Sequence, residues 1–398
     1  MKRNAILYFL FALVFTSSSF AIQKNSGDYD KKLGSKTGGI EKIKTTDKAE
    51  KQEMLQGYNK PARVDTKGKW DLNINVSFLY RYAVEKGLEI ADFTSRRIPP
   101  DGSLIINEQI IKMDYDYHPA FKIGAGLGST FDDWDINFYY TRYHSTDSKS
   151  EATDPDLAWI TDYQYLQPVW VMIFLLAPTE IRGHYAKGQW KLKTDILDFE
   201  LGRCAYAGKK ISIHPYICLR SGRIDQKYYN EFIGTSTSGL EYTIKANNKS
   251  DSWIIGPRGG FDTNWCLGKG FSLIGNASGT IFYQKFTTKI DQDLLRVEQS
   301  YYHSTYSAKV KDRFINTNLE ALLGLKWGKY FYNKRIHWDL LLGYDFEIYY
   351  NQNMIRSVWN SIQTTSLTAF TEAGHAHDDG NPNNLMFHGL VLSTKLDF

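Results

Sequence analysis

The stretch Leu390-Val391-Leu392-Ser393-Thr394-Lys395-Leu396-Asp397-Phe398 decides the fold. Leu390, Leu392, Thr394, Leu396 and Phe398 share one parity; Ser393, Lys395 and Asp397 share the other. A period of two gives a strand with one largely apolar face and one polar face. The same alternation recurs upstream. Trp70, Leu72, Ile74, Val76, Phe78, Tyr80 and Tyr82 oppose Asp71, Asn73, Asn75, Ser77 and Arg81. Phe121 to Leu127 alternate with Lys122 and three glycines, and Trp134, Ile136, Phe138 and Tyr140 with Asp135, Asn137 and Thr141. Trp190, Leu192, Thr194 and Ile196 oppose Lys191, Lys193 and Asp195, after which Leu197, Phe199 and Leu201 oppose Asp198 and Glu200. That apparent one-residue slip predicts a β-bulge. Further runs cover Ile211–Arg220, Asn318–Trp327 and Ile336–Tyr350, while 253–267 and 271–285 are less regular.

The final strand, with Phe398 at its end, is similar to the closing strand of an outer-membrane β-barrel, where Phe398 would be the signal read by the barrel assembly machinery. The beginning of the chain fits export. Lys2 and Arg3 precede an apolar run, Ile6 to Phe15, too short to span a bilayer, and Ser19-Phe20-Ala21 suits cleavage. Residues 1–21 are therefore expected to be a signal peptide. No later stretch has the ~18 continuous apolar residues of a spanning helix. Residues 22–69 are polar and aperiodic and are expected to form a disordered periplasmic tail.

Composition agrees with strands in lipid. Aromatic residues make up 15% of the 398, with 27 Tyr and 10 Trp, which suits aromatic girdles. A mean hydropathy of −0.42 excludes a bundle of membrane helices and is acceptable where lipid-facing and lumenal residues alternate. The net charge of +4 has its signs interspersed, so no nucleic-acid surface is expected. Cys204, Cys218 and Cys266 lack metal spacing and allow at most one internal disulfide.

Connections alternate strictly between short (128–133, 208–210, 268–270, 328–334) and long (83–112, 147–187, 227–250, 291–311, 351–384). Short periplasmic turns and long outer loops are the barrel pattern. The expectation is an all-β protein: an antiparallel transmembrane β-barrel over 70–398, of about 10 strands, or up to 14 if the long segments hold hairpins.

Specific phrases then accumulate. Tyr117-His118-Pro119-Ala120-Phe121-Lys122-Ile123-Gly124 precedes Asp132-Asp133-Trp134, and Ile196-Leu197-Asp198-Phe199-Glu200-Leu201-Gly202-Arg203 precedes Ile213-His214-Pro215-Tyr216. Gly256-Pro257-Arg258-Gly259-Gly260, Trp265-Cys266-Leu267-Gly268 and Leu322-Leu323-Gly324-Leu325-Lys326-Trp327 follow. In this order they resemble the pore-forming, major-outer-membrane-protein-like family of Legionella and the environmental chlamydiae. The resemblance implies an outer-membrane porin passing small hydrophilic solutes or ions. It carries no catalytic or ligand residue. Three cysteines cannot build the cross-linked network of the cysteine-rich chlamydial proteins.

For such a pore the inward parity supplies the lining candidates: Asp71, Arg81, Lys122, Asp135, Lys191, Lys193, Asp195, Arg220, Glu320, Lys326, Asp339, Asp345, Glu347, Lys395 and Asp397. Neither sign dominates, so weak selectivity is expected. Outer-membrane lipid is the expected surrounding, and a homo-oligomer is compatible with the sequence, although no stretch marks a subunit interface. His375 and His377 form the one weak metal candidate, since residues two apart on a strand point the same way, but no third ligand is placed and a solvated loop is the favoured reading. No nucleophile stands at a set spacing from a base, and no stretch calls for a cofactor, so an enzyme is not expected. The alternative to a porin is a non-conducting barrel acting as adhesin, surface antigen or structural envelope protein.

Overall fold

The computed structural model describes residues 64, 66, 71–129, 134–153, 162–170, 181–236, 239–296, 303–358 and 383–398. Its strands are β1 Asp71–Glu85, β2 Glu89–Arg97, β3 Ile105–Lys112, β4 Tyr117–Gly128, β5 Trp134–Ala152, β6 Asp162–Pro168, β7 Ile181–Arg203, β8 Ala205–Tyr206, β9 Ile211–Ser236, β10 Glu241–Gly268, β11 Phe271–Arg296, β12 His303–Phe331, β13 Ile336–Tyr349 and β14 Leu385–Asp397. Ten of them pair antiparallel into a closed ring, β1-β4-β5-β7-β9-β10-β11-β12-β13-β14 and back to β1. Within the lipid-crossing part of the ring, closure pairs the ladder N–H and C=O groups without water, which lets strands sit in lipid. The last residue joins this seam: Phe398 N donates to Leu72 O at 2.9 Å.

Strand lengths divide the ring. β13 and β14 have 14 and 13 residues, close to one tilted crossing, whereas β9, β10, β11 and β12 have 26, 28, 26 and 29. Much of the sequence expected as long outer connections is therefore strand. Residues 227–236 and 241–250 belong to β9 and β10, and 291–296 and 303–311 to β11 and β12.

Side chains show why the long strands stay together outside the lipid. Along β9, outward Ile211, Ile217 and Leu219 give way to Arg223, Asp225, Lys227 and Glu231, still outward. On the same strand the inward set changes from Ser212, His214 and Arg220 to Ile224, Tyr228 and Phe232. Wall polarity thus inverts near residue 221. Below it the outside meets hydrocarbon and must be apolar; above it the outside meets water and the inside can pack as a core. β10 marks the band with outward Trp253 and Trp265, about 40 Å apart along the strand and about 30 Å in height at a tilt of about 40°.

This inversion removes the predicted bulge in β7. The pairing of β7 with β5 and β9 is unbroken from Tyr185 to Gly202. Trp190, Leu192, Ile196, Asp198 and Glu200 all face inward, and Leu197 and Phe199 face outward. Apolar residues change parity because the solvent changes, not because the strand slips. Lys191, Lys193 and Asp195 consequently lie on the outer surface, and the lining role expected for them is corrected; Asp195 accepts from Tyr140 Oη at 2.6 Å on that surface.

The short-turn end is tight. Gly268, Lys269 and Gly270 join β10 to β11 with φ of 112°, 53° and 85°. At Gly270 a Cβ would meet Gly328 O at 2.5 Å, so glycine is needed there for space as well as conformation.

At the opposite end the barrel is filled. β2 pairs with β3 and β6, and β6 reaches β7 at Leu166 and Gly183. Trp170 Nε1 and Tyr228 Oη donate to Glu89 O at 2.6 and 2.8 Å, and Gln292 Nε2 donates to Trp170 O at 2.9 Å. The described helical turn, residues 354–358, packs Met354, Ile355 and Val358 into the same apolar cluster as Trp190, Phe232, Phe282, Phe286 and Ile290. In the β3–β4 connection, burial pushes the Tyr115 hydroxyl well above its usual range, so it stays a donor, to Glu85 O. The expected signal peptide and most of the expected tail lie outside the described residues; Val64 and Thr66 are described, and Thr66 Oγ1 donates to Phe398 O at 3.0 Å.

Candidate lumenal site

The inward face of the ring builds three layers. Nearest the short turns is a polar cavity of about 390 Å³. Asp71, Asn73, Lys122, Asp135, His214, Asp262, Lys326, Asp339, Lys395 and Asp397 are among its walls. His214 Nε2 is 2.9 Å from Asp135 Oδ2, and its Nδ1 is 3.4 Å from Asp262 Oδ2. Lys122 Nζ stands 4.6 Å from the centroid of the Tyr139 ring. Gly124 makes this possible, because a Cβ there would meet the Tyr139 ring at 2.3 Å.

Arg81, Arg258, Glu320, Asp345 and Glu347 roof the cavity. With Arg220 and Asp198 they form a layer across the lumen. Arg220, from β9, donates to Asp198 on β7 at 2.7 and 2.8 Å, to Asn318 and Glu320 on β12, and lies 3.5 Å from Glu347 on β13. Arg258 donates to Glu320 at 2.6 Å and sits 3.5 Å from Asp198. From β1, Arg81 pairs with Asp345 and, at 3.0 Å, with Glu347. β9 and β13 stand nearly opposite in the ring, so this layer spans the lumen. Arg220 is 3% exposed and Asp198 1%. Guanidiniums in bidentate contact with carboxylates are the ion pairs best suited to such burial. Three guanidiniums face four carboxylates, and the layer leans negative.

Above it is a layer of amides and hydroxyls. Gln284 Nε2 donates to Ser252 Oγ and to Gln352 Oε1, and Asn316 Nδ2 donates to Gln284 Oε1, each at 2.9 Å. Phe282 and Tyr349 begin the apolar core directly above. Polar cavity, ion pairs, amides and hydrocarbon follow one another along the axis; in the ion-pair layer Arg81 and Glu320 are half-buried against the cavity and the other five residues are buried.

Of the fifteen predicted lining residues, Asp71, Arg81, Lys122, Asp135, Arg220, Glu320, Lys326, Asp339, Asp345, Glu347, Lys395 and Asp397 face inward. Sequence reasoning missed Asp198, Glu200, His214, Arg258 and Asp262 as members of the lumenal set. Asp198 and Glu200 followed the supposed bulge, and Arg258 sits among glycines and a proline that blur the alternation. The inward parity of β9 held the signal for His214. His375 and His377 lie outside the described residues. The cysteines are free: Cys218 is buried, Cys204 half-buried and Cys266 exposed.

Residues 63–398 match the family described as the Legionella pneumophila major outer membrane protein precursor. No curated protein matches the sequence. Among solved structures, the Escherichia coli outer membrane protease OmpT is 9% identical, with 85% of this chain and 99% of that one covered and a TM-score of 0.35. A Pseudomonas aeruginosa FadL homologue is 6% identical (82% and 90% covered, TM-score 0.24), as is the P. putida toluene transporter TodX (82% and 90%, TM-score 0.25). Likenesses at that level carry no argument about activity. The ten-strand ring, its apolar outer band and the match over nearly all of the strand-bearing chain place it in the bacterial outer membrane, and the chain belongs to the Legionella major outer membrane protein family.

Proposed function

We propose that this protein is a closed outer-membrane barrel with a structural and surface-presenting role in the envelope. One observation carries the reading: the layer of Arg81, Arg220 and Arg258 with Asp198, Glu320, Asp345 and Glu347, buried except for half-buried Arg81 and Glu320, which joins opposite walls of a narrow ten-strand ring. Ten-strand lumens are narrow enough for side chains to fill. The rigid extension, polar outside and apolar inside, then projects from the membrane beyond the end that carries the long connections, which in such barrels faces outward. Lipid along the apolar band and the assembly machinery at the Phe398 end are its partners in this account.

A second reading, slow diffusion of small hydrophilic solutes, is favoured by the cavity of about 390 Å³ and its mixed charges. Liposome swelling separates the two. Vesicles holding the refolded protein are diluted into an isosmotic pentose or KCl. Swelling no faster than in protein-free vesicles is expected. Swelling that rises with protein content would overturn the closed-barrel reading and restore the porin.

A further inference from the structure

Three ligand-type atoms near the short turns point at one another, and none has a hydrogen-bond partner. His337 and Asp339 are two apart on β13 and face inward together, and Asp397 is the cross-strand partner of His337 on β14. His337 Nδ1 lies 3.5 Å from Asp397 Oδ2 and 3.7 Å from Asp339 Oδ1, and the three residues each offer a ligand atom within 4.8 Å of the others. All three are buried and unbonded, on side chains 9%, 8% and 6% exposed. The remaining carboxylate oxygens are held by lysines: Lys395 Nζ is 2.9 Å from Asp397 Oδ1 and Lys326 Nζ 3.3 Å from Asp339 Oδ2. The lysines fix the carboxylates and leave one oxygen of each turned toward the imidazole.

A proton serves this arrangement poorly, because 3.5 and 3.7 Å exceed the reach of an N–H···O bond. A tetrahedral ion with bonds of about 2.0–2.1 Å separates its ligands by about 3.4 Å, close to the observed spacing. Space is also reserved. Gly328, paired with Asp339 across the ladder, faces the group, and a Cβ there would meet Asp339 Oδ1 at 2.2 Å. Calcium and magnesium want more oxygen ligands than this group provides, whereas imidazole with carboxylates suits zinc.

We propose that His337 Nδ1, Asp339 Oδ1 and Asp397 Oδ2 bind a divalent transition-metal ion, zinc in the first instance, with water from the lumenal cavity as the fourth ligand. The ion pins β13 to β14 beside the last residue of the chain.

The test is calorimetric titration of zinc into the untagged, chelator-stripped, detergent-folded barrel, with heat-shifted gel mobility as the check on folding. One ion per chain is expected. His337→Ala and Asp397→Asn each weaken binding by more than the ~10–100-fold that changes outside the ligand set cost. Gly328→Ala keeps all three ligands and weakens binding as well. A His375→Ala/His377→Ala variant binds as the original does. No binding by the folded original protein overturns the proposal. So does binding that survives all three site changes, or that disappears with His375 and His377.

Discussion

Replacing Arg220 by alanine measures how dry the lumen is. Arg220 is 3% exposed, and its guanidinium serves Asp198, Glu320, Asn318 and Glu347 at once. Its loss leaves Asp198, 1% exposed, with Arg258 at 3.5 Å as its remaining cation among these. Removing one partner of a buried pair typically costs about 3–5 kcal/mol, because the charge left behind has neither water nor counter-ion. Lys249 is the control. It pairs with Asp251 at 2.5 Å, but the two side chains are 43% and 32% exposed, and pairs of that kind are worth about 0–1 kcal/mol. Reversible urea unfolding from lipid vesicles, followed by tryptophan fluorescence, should separate Arg220→Ala from Lys249→Ala by at least about 2 kcal/mol. In a double-mutant cycle, adding Asp198→Asn should recover part of the loss, since the stranded carboxylate is gone. If Arg220→Ala costs no more than Lys249→Ala, water reaches the layer and the argument for a closed lumen fails.

Other outcomes follow from the same wall. Phe199→Arg places a charge in the lipid-facing band and should cost about 2–4 kcal/mol in vesicle refolding if the site is near the midplane, whereas Lys193→Leu, on the watered outer face, should change stability by less than about 0.5 kcal/mol. The reverse ranking would restore the bulge in β7. Trp190→Ala removes a fully buried side chain from the outer core and should cost about 3–5 kcal/mol, read as a lowered urea midpoint. Gly124→Val drives a Cβ into the Tyr139 ring and should cost about 1–3 kcal/mol by the same assay, with no change in strand content by circular dichroism.

Strand existence was legible because an alternation such as Ile336–Tyr350 admits only a period-two reading, and the alternation of short and long connections fixed the ring's order. What alternation cannot show is where the solvent changes. On β7 the outward set passes from Lys191 and Lys193 to Leu197 and Phe199 with no backbone irregularity. A parity rule that assumes lipid throughout must read that as a slip. The same assumption misassigned Lys191, Lys193 and Asp195. The lumenal charges on β1, β12, β13 and β14 were readable because these crossings carry uniform apolar outer faces. Their convergence was not: Arg220 meets Glu347 only because strands distant in sequence stand opposite in the ring. Arg258 lies where Gly256, Pro257, Gly259 and Gly260 erase the apolar half of the pattern.

The most direct measurement of the central claim is single-channel conductance of the refolded protein in a planar bilayer under a salt gradient. With the layer of Arg81, Arg220 and Arg258 intact, insertion of folded barrels should leave the current at baseline, with no discrete steps. Reproducible steps from folded, unmodified protein would show an open lumen and contradict the account.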